Sequence, residues 1–285
     1  RVVSREGFAA EHTFGRFISR GTDGKVFEAT RCRNGVSRAR AVKAVGVAQM
    51  GLARIVGEIQ IGLLVNSPHV VPVYEVFRDV EANVGPVVLI TMELMRVSLW
   101  DVLEKWGTLQ EPVAALVMSH ILSGVQCLHS AQILHGDLKP GNLMVAMDGF
   151  IKISDFGAAV SGVTSNHLVR LRGTGRYMAR EVLTGKGYGI MADMWSVGVT
   201  LHDMLAGRGS MSSECETVGR LVLHRTPISL SPVFSVNAQD FVSRCLSIDQ
   251  DSRLSAVEAA RHPFLGRQCG LLEWQDAMQA WFPRP

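Results

Sequence analysis

The stretch HGDLKPGNLMVAMDGFIKISDFG, from His135 to Gly157, decides how this chain folds. It contains two short motifs, HGDLKPGN over residues 135–142 and DFG over residues 155–157. Four polar residues stand in fixed order within it, namely Asp137, Lys139, Asn142 and Asp155. Two such motifs in this order do not arise together by chance, so they indicate one shared site.

The two motifs resemble the HRDLxxxxN and DFG motifs of the eukaryotic protein kinase superfamily. The resemblance extends from about His12 to Phe264 and implies the bilobal α+β fold of that superfamily. It predicts a small β-rich N-lobe with one regulatory helix over residues 12–93 and a larger helical C-lobe over residues 94–264. Residues 265–285 are expected to form a tail.

The pattern along the chain agrees with this division. Short alternating segments rich in Val and Ile dominate up to Glu93, and long helical periodicities dominate from Ser98 onward. The tail is expected to be a helix packed on the C-lobe, with docking of a partner as the alternative. Its apolar positions at helical spacing are Leu271, Trp274, Met278 and Trp281.

Composition narrows the class of protein. Among 285 residues, 19% are charged and 47% hydrophobic, which argues for a sizeable core and against disorder. The net charge of +3 is too small to indicate nucleic acid or a membrane surface as a partner. No uninterrupted apolar run approaches the roughly 18 residues of a membrane helix.

The cysteines and the first residue bear on location. Five scattered cysteines without a CxxC pair favour a reducing compartment over a disulfide framework or a zinc site. The expected location is therefore intracellular, in the cytoplasm or nucleus. A chain that starts at Arg1 is expected to be an excised domain, which leaves a removed targeting segment open.

The N-terminal part carries the residues that the resemblance assigns to nucleotide binding. Ser19 to Val26 fits the pattern GxGxxGxV with Ser in the first place, and glycines let backbone N–H groups approach phosphate oxygens. Lys43 matches the family's phosphate-binding lysine, and Glu58 is its expected partner. The resemblance implies a cofactor site for ATP that consists of Ser19, Gly21, Gly24, Val26, Ala41, Lys43, Met92, Glu93, Met95 and Met144.

The resemblance also assigns the chemistry. Asp137 is expected to accept the hydrogen bond of the incoming hydroxyl, and Lys139 to neutralise charge on the moving phosphoryl group. Thr174, in GTGRYMARE, is expected to contact both of them. Asn142 and Asp155 are the expected ligands of Mg²⁺, with Mn²⁺ as an alternative, because hard ions take oxygen ligands. Lys139 together with Thr174 is typical of Ser/Thr kinases.

Two further matches concern structure. Glu181 is expected to form a buried ion pair with Arg253. Such pairs serve the geometry of the fold as much as its stability. Asp193, in DMWSVG, is expected to steady the loop around Asp137. A faint resemblance favours the MAP-kinase-kinase-like branch of the superfamily, and it rests on the segments Trp106 to Leu109 and Tyr177 to Ala179.

Four positions depart from the family's pattern. Gly136 replaces the arginine of HRD, so control by phosphorylation of Thr164 or Ser165 is not expected unless Arg170 or Arg172 substitutes. Arg180 replaces the proline of the APE motif, and Ser19 is expected to loosen the phosphate clamp slightly. Gly62 is expected to leave a gap in the apolar stack over Phe156, so that a leucine at this position raises activity, unless a neighbour such as Leu63 already fills the space.

Two rival interpretations remain beside a Mg·ATP-dependent Ser/Thr protein kinase. Aminoglycoside and choline phosphotransferases share His-Gly-Asp followed by Asn, but they lack the GT…ARE segment. A pseudokinase, acting as a scaffold or as a nucleotide-binding regulator without turnover, is the non-enzymatic alternative. The kinase interpretation predicts a Ser/Thr-containing protein substrate, neither nucleic acid nor membrane as partner, and room for an activating or scaffolding protein.

Overall fold

The computed structural model describes residues 2–3, 5–21, 24–81, 85–166, 168–169, 173–207 and 229–283. The chain divides into two compact units, which we describe in turn. The N-terminal unit comprises Arg1–Asn66, Val70–Met95 and Asp155–Gly157. The C-terminal unit comprises Ser67–His69, Arg96–Ser154 and Ala158–Pro285.

The N-terminal unit is built on a six-stranded sheet. Its strands are β1 Val2–Val3, β2 His12–Arg20, β3 Lys25–Arg33, β4 Val36–Gly46, β5 Val73–Glu81 and β6 Gly85–Met92. Their spatial order is β1-β5-β6-β4-β3-β2, and all neighbours are antiparallel except the parallel pair of β1 and β5. The sheet thus has β4, which carries Lys43, in its interior.

Alternation along β4 places apolar side chains on both faces of this sheet. Val42 and Ala44 join a cluster with Phe8 of helix α1 (Arg5–Glu11). Val45 lies in a second cluster with Ile55, which belongs to helix α3 (Leu52–Leu64). A short helix α2, Val47–Met50, precedes α3. Lys43 and Val45 are two positions apart on β4, so their side chains lie on the same face of the sheet, the face that packs against α3.

The C-terminal unit is mainly helical. Its helices are α4 Leu99–Trp106, α5 Glu111–Ser130, α6 Arg180–Leu183, α7 Met191–Ala206, α8 Val236–Cys245, α9 Ala256–Ala259 and α10 Leu271–Trp281. Strands β7 Val97–Ser98, β8 Leu143–Val145 and β9 Ile151–Ile153 form a small antiparallel sheet. Fourteen of the residues of α7 are buried, so this helix forms the centre of the unit.

Helix α5 is long and apolar enough, by length and composition, to cross a membrane. The expectation based on uninterrupted apolar runs missed it, because Ser119, His120 and Ser123 interrupt the apolar sequence. About 61% of its apolar stretch is buried inside the folded chain. A buried core helix has the same composition as a membrane span, and α5 contacts α7, α9 and β9 within the unit.

The tail helix α10 packs on its own unit. Trp274 and Met278 are buried, and Trp274 donates a hydrogen bond from Nε1 to the carbonyl of Gly149 at 2.7 Å. The Trp106 ring, at the end of α4, meets the Trp274 ring edge-on with centroids 6.1 Å apart. Lys105 donates to the carbonyl of Trp281 at 2.7 Å. Aromatic packing and hydrogen bonds therefore fasten the tail to α4 and to the β8–β9 turn.

Candidate active site

Lys43 is the centre of the charged cluster in the N-terminal unit. Its Nζ lies 2.6 Å from Oε1 of Glu58, on α3, and 2.9 Å from Oδ1 of Asp155. Burial alone would lower the pKa of Lys43, but the carboxylates of Glu58 and Asp155 outweigh it and hold the pKa above its usual value. The lysine is therefore a fixed positive charge between two carboxylates.

Helix α3 is tied to the DFG segment by a second contact. Arg54 donates from Nη2 to the carbonyl of Gly157 at 2.9 Å and from Nε at 3.1 Å. Asp155 itself has a φ of 64°, in the left-handed region where Asp is among the tolerated residues. Arg54 could not be expected from the sequence, because no motif of the family marks this position of the helix.

Strand register aligns the residues expected to bind phosphate. Ser19 pairs with Val26, and Val26 pairs in turn with Lys43, so the three residues follow one another across β2, β3 and β4. The turn between β2 and β3 is closed by the N–H of Gly21, which donates to the carbonyl of Gly24 at 2.9 Å. A Cβ on Gly24 would collide with the carbonyl of Ala44, so only glycine fits here.

The residues expected around the adenine divide between the units. Ala41 pairs with Met92 on the neighbouring strand β6, and Glu93 and Met95 follow β6 directly in the chain. All four belong to the N-terminal unit. Met144 belongs to the C-terminal unit, where it lies on β8 opposite Lys152.

The C-terminal unit brings together Asp137, Lys139, Asn142 and Thr174. Nζ of Lys139 lies 2.7 Å from Oδ2 of Asp137 and 2.6 Å from Oγ1 of Thr174. The amide nitrogen of Asn142 donates to Asp137, to its backbone carbonyl at 2.8 Å and to Oδ2 at 3.1 Å. Within the described residues, the buried Oδ1 of Asp137 has no hydrogen-bond partner. One carboxylate oxygen is thus held in place and the other is left to accept.

Asp193, on α7, holds the loop that carries Asp137. Its carboxylate accepts from the backbone N–H groups of His135 and Gly136, both at 2.9 Å, and lies 3.0 Å from Nε2 of His129. Burial would raise the pKa of Asp193, but the hydrogen bond and charge of His129 and the backbone N–H of Gly136 bring the pKa below its usual value. A buried anion therefore fixes the loop through its backbone.

Two ion pairs connect the segment after Thr174 with the rest of the C-terminal unit. Arg253 donates to both carboxylate oxygens of Glu181, at 2.5 and 2.8 Å, which is the partnership expected from the sequence. Arg176 donates from Nη2 to Oδ1 of Asp203, a buried residue of α7, at 2.5 Å. This second pair could not be expected from the sequence, because the family's pattern leaves position 176 unspecified.

The structure corrects the expectation of a gap beside Gly62. A Cβ built on Gly62 would collide with the side chain of Val73, on β5. The space beside the helix is therefore filled by Val73, whereas Leu63 is 51% exposed. Glycine at position 62 allows α3 to approach β5 closely, and it does not mark a missing contact.

Gly136 has a φ of 76°, a conformation that favours glycine. An arginine at this position would be strained by about 1–3 kcal/mol, so the replacement relaxes the backbone while it removes a guanidinium. The two arginines considered as substitutes, Arg170 and Arg172, lie outside the described residues.

Comparison with known proteins gives the class of this chain. The model of the protein kinase domain matches residues 12–265, and the chain belongs to the protein kinase domain family. Members of this family use ATP and a divalent metal ion and act on protein substrates.

Several relatives are kinases of mitogen-activated cascades. The chain is 36% identical over 178 residues to Mitogen-activated protein kinase kinase kinase 3 of Arabidopsis thaliana, covering 59% of this chain and 27% of that protein. It is 36% identical over 180 residues to Mitogen-activated protein kinase kinase kinase 19 of Homo sapiens, covering 60% and 14%. For Mitogen-activated protein kinase kinase SIPKK of Nicotiana tabacum, identity is 34% over 222 residues, covering 74% and 61%. The chain thus spans less than two thirds of the length of these relatives.

Proposed function

We propose that this chain catalyses Mg·ATP-dependent transfer of the γ-phosphoryl group to Ser or Thr hydroxyls of protein substrates. The observation that carries the proposal is the state of the Asp137 carboxylate. Oδ2 accepts from Lys139 and Asn142, while the buried Oδ1 has no partner within the described part of the chain. A buried acceptor without a donor costs about 1–3 kcal/mol, and a substrate hydroxyl that donates to Oδ1 removes this cost.

Asp137 then orients the hydroxyl and takes its proton. The hydroxyl oxygen forms a bond to the γ-phosphorus, the bond from phosphorus to the β–γ bridging oxygen breaks, and ADP leaves. Lys139 supplies positive charge where negative charge develops on the transferring group, and the hydroxyl of Thr174 fixes the direction of its ammonium group. The chemistry needs little more than positioning and charge.

Lys43 supplies the fixed charge for the α- and β-phosphates. Its salt bridges to Glu58 and Asp155 keep it protonated and immobile, which supports this role. The side chain of Asp155 is 38% exposed and offers a carboxylate oxygen to a cation. Because the amide nitrogen of Asn142 donates to Asp137, its amide oxygen is the atom left for a metal ion.

These oxygen donors fit Mg²⁺, a hard ion with oxygen ligands, better than a soft metal. When bound, Mg²⁺ would neutralise negative charge on the phosphates. Chelation with EDTA is expected to abolish turnover, and added Mg²⁺ to restore it, with Mn²⁺ tested alongside. Turnover that persists in EDTA contradicts the assignment of the metal.

The decisive experiment measures phosphate transfer from γ-labelled ATP to a generic protein substrate by the purified chain. Asp137→Asn and Lys43→Met are each expected to lower the rate at least about a hundredfold, the scale of one lost electrostatic contact in an active site. Asp276→Asn and Lys186→Met are the matched controls, since both residues are exposed and lie outside the two clusters. Nucleotide binding without any transfer by the wild-type chain would instead support the pseudokinase alternative.

The substrate and the location are parts of the same proposal. Phosphorylation of a positional-scanning peptide library is expected to show Ser and Thr as acceptors, and a preference for Tyr contradicts the proposed specificity. Cys32, Cys127, Cys245 and Cys269 are free thiols, which supports a reducing, intracellular location. Imaging of the full-length protein as a fluorescent fusion tests this, and secretion of the fusion overturns it.

A further inference from the structure

Arg176 and Asp203 form an ion pair that the proposed chemistry does not use. Asp203 is fully buried on α7, and the side chain of Arg176 is 21% exposed. The guanidinium spans both carboxylate oxygens, with Nη2 2.5 Å from Oδ1 and Nε 3.4 Å from Oδ2. The hydroxyl of Tyr177 also donates to Oδ2, at 2.9 Å. A carboxylate buried this deeply needs such partners.

The pair lies next to the residues of the active site. Gly175, Arg176 and Tyr177 form one turn of 3₁₀ helix that begins directly after Thr174. The N–H of Tyr177 donates to the carbonyl of Thr174 at 2.8 Å, and Ser196, on α7, donates to the carbonyl of Tyr177 at 2.8 Å. The backbone of Thr174 is therefore connected to α7 through this turn.

The same helix holds the other half of the C-terminal cluster. Asp193, near the start of α7, binds the backbone beside Asp137, while Asp203, near its end, binds the turn beside Thr174. Lys139 is hydrogen-bonded to both Asp137 and Thr174. The position of its ammonium group thus depends on two attachments to one helix.

We infer that Arg176 is a positioning residue for the proposed phosphoryl transfer, because its ion pair with Asp203 fixes the turn that presents the Thr174 hydroxyl to Lys139. This inference rests on the proposed function. Burial opposes the charge of Arg176, but hydrogen bonding and attraction to Asp203 outweigh it and raise the pKa of Arg176. The guanidinium therefore remains charged throughout the pH range of an assay.

Four variants separate positioning from simple charge compensation. Arg176→Met removes the pair and leaves Asp203 buried without its cation. Arg176→Lys keeps the charge but loses the two-pronged contact. The double variant Arg176→Met with Asp203→Asn removes the uncompensated charge yet also lacks the attachment. Arg261→Met is the matched control, since Arg261 is an exposed arginine of the same unit.

Turnover, KM for ATP and melting temperature are measured for each variant. Arg176→Met is expected to lower kcat about tenfold to a hundredfold, the scale of a small misplacement, with KM for ATP within about twofold. Arg176→Lys is expected to recover part of kcat, and Arg261→Met to behave as wild type. The double variant is expected to regain thermal stability and to keep the low kcat.

A double variant that regains wild-type kcat overturns the inference, since charge compensation alone would then explain the single variant. Wild-type kcat in Arg176→Met overturns it as well. If the wild-type chain has no turnover, the proposed function fails, and hydrogen exchange at the amide of Tyr177 decides the inference separately. Exchange that accelerates in both Arg176→Met and the double variant supports the attachment, and unchanged exchange contradicts it.

Discussion

The two charged clusters of this protein are built in different ways. In the N-terminal unit, Lys43 is held by side chains 15 and 112 positions away, one of them on α3. In the C-terminal unit, Asp137, Lys139 and Asn142 lie within six consecutive positions, and Asp193 binds the backbone beside them. The first cluster depends on where α3 and the DFG segment lie. The second cluster comes mostly from one short loop, whose backbone is fixed by Asp193.

This comparison predicts different costs for removing a carboxylate. The side chain of Asp193 is 1% exposed and forms hydrogen bonds with three groups, so its loss is expected to lower both stability and activity. Asp155 is 38% exposed, so its loss is expected to harm activity while the fold survives.

Asp193→Ala is expected to have the largest effect, a loss of about 3–5 kcal/mol in the free energy of unfolding, because buried donors lose a buried anion. Urea denaturation followed by circular dichroism measures this loss. Asp240→Asn is the control, since the side chain of Asp240 is 51% exposed. Equal losses in the two variants would contradict the structural role of Asp193.

Asp155→Asn is expected to lower phosphoryl transfer at least about a hundredfold, because it removes charge where charge stabilisation matters most. The melting temperature is expected to stay close to that of the wild type. Transfer at the wild-type rate would show that Asp155 has no part in binding the metal ion or the phosphates.

Gly62→Ala is expected to lower stability by about 1–3 kcal/mol through overpacking against Val73, and to lower activity by shifting α3, which carries Glu58. Gly57→Ala is the matched control on the same helix, where a Cβ meets no neighbour within 4 Å. There, helix propensity is expected to add up to about 1 kcal/mol of stability. Higher activity in Gly62→Ala than in the wild type would restore the idea of a gap.

Acid is expected to weaken the C-terminal unit through His120. Burial, together with the nearby His69, lowers the pKa of His120 from 6.5 to about 4. Below about pH 6.5, His120 becomes protonated in the unfolded chain, whereas in the folded chain it becomes protonated only near pH 4. The free energy of unfolding therefore falls as the pH falls through this window. The loss is expected to reach about 3 kcal/mol by pH 4.

Urea midpoints at pH 7 and pH 4.5 measure this acid sensitivity. His120→Gln, which keeps an acceptor for the N–H of Ile151, is expected to show a smaller shift between the two pH values than the wild type. A shift of the same size in both proteins would place the acid sensitivity elsewhere.

Phosphatase treatment is expected to have the smallest effect, because Gly136 offers no guanidinium to a phosphate on the segment that follows DFG. Activities of treated and untreated protein are compared at matched concentration. A roughly tenfold loss after treatment would show that another base, such as Arg170 or Arg172, has taken over that role.

Local motifs predicted much of this molecule, and contacts between distant positions explain the rest. The pairing of Lys43 with Glu58 and of Glu181 with Arg253 could be expected because both partners lie in motifs of one family. The pair of Arg176 and Asp203 could not, because neither position is specified by a motif. Gly62 was misjudged because the sequence does not reveal that Val73 packs against it.

The tail helix bears on where this folded domain ends. The family match stops at residue 265, yet Trp274 and Met278 are as deeply buried as the central core. Arg96, in the C-terminal unit, donates hydrogen bonds to the side chain of Gln279 and to the carbonyl of Phe282. A recombinant fragment that ends at residue 265 would lack Trp274, which packs against Trp106, and both of these hydrogen-bond partners of Arg96. A fragment that extends to Phe282 is therefore expected to be more stable than one that ends at residue 265.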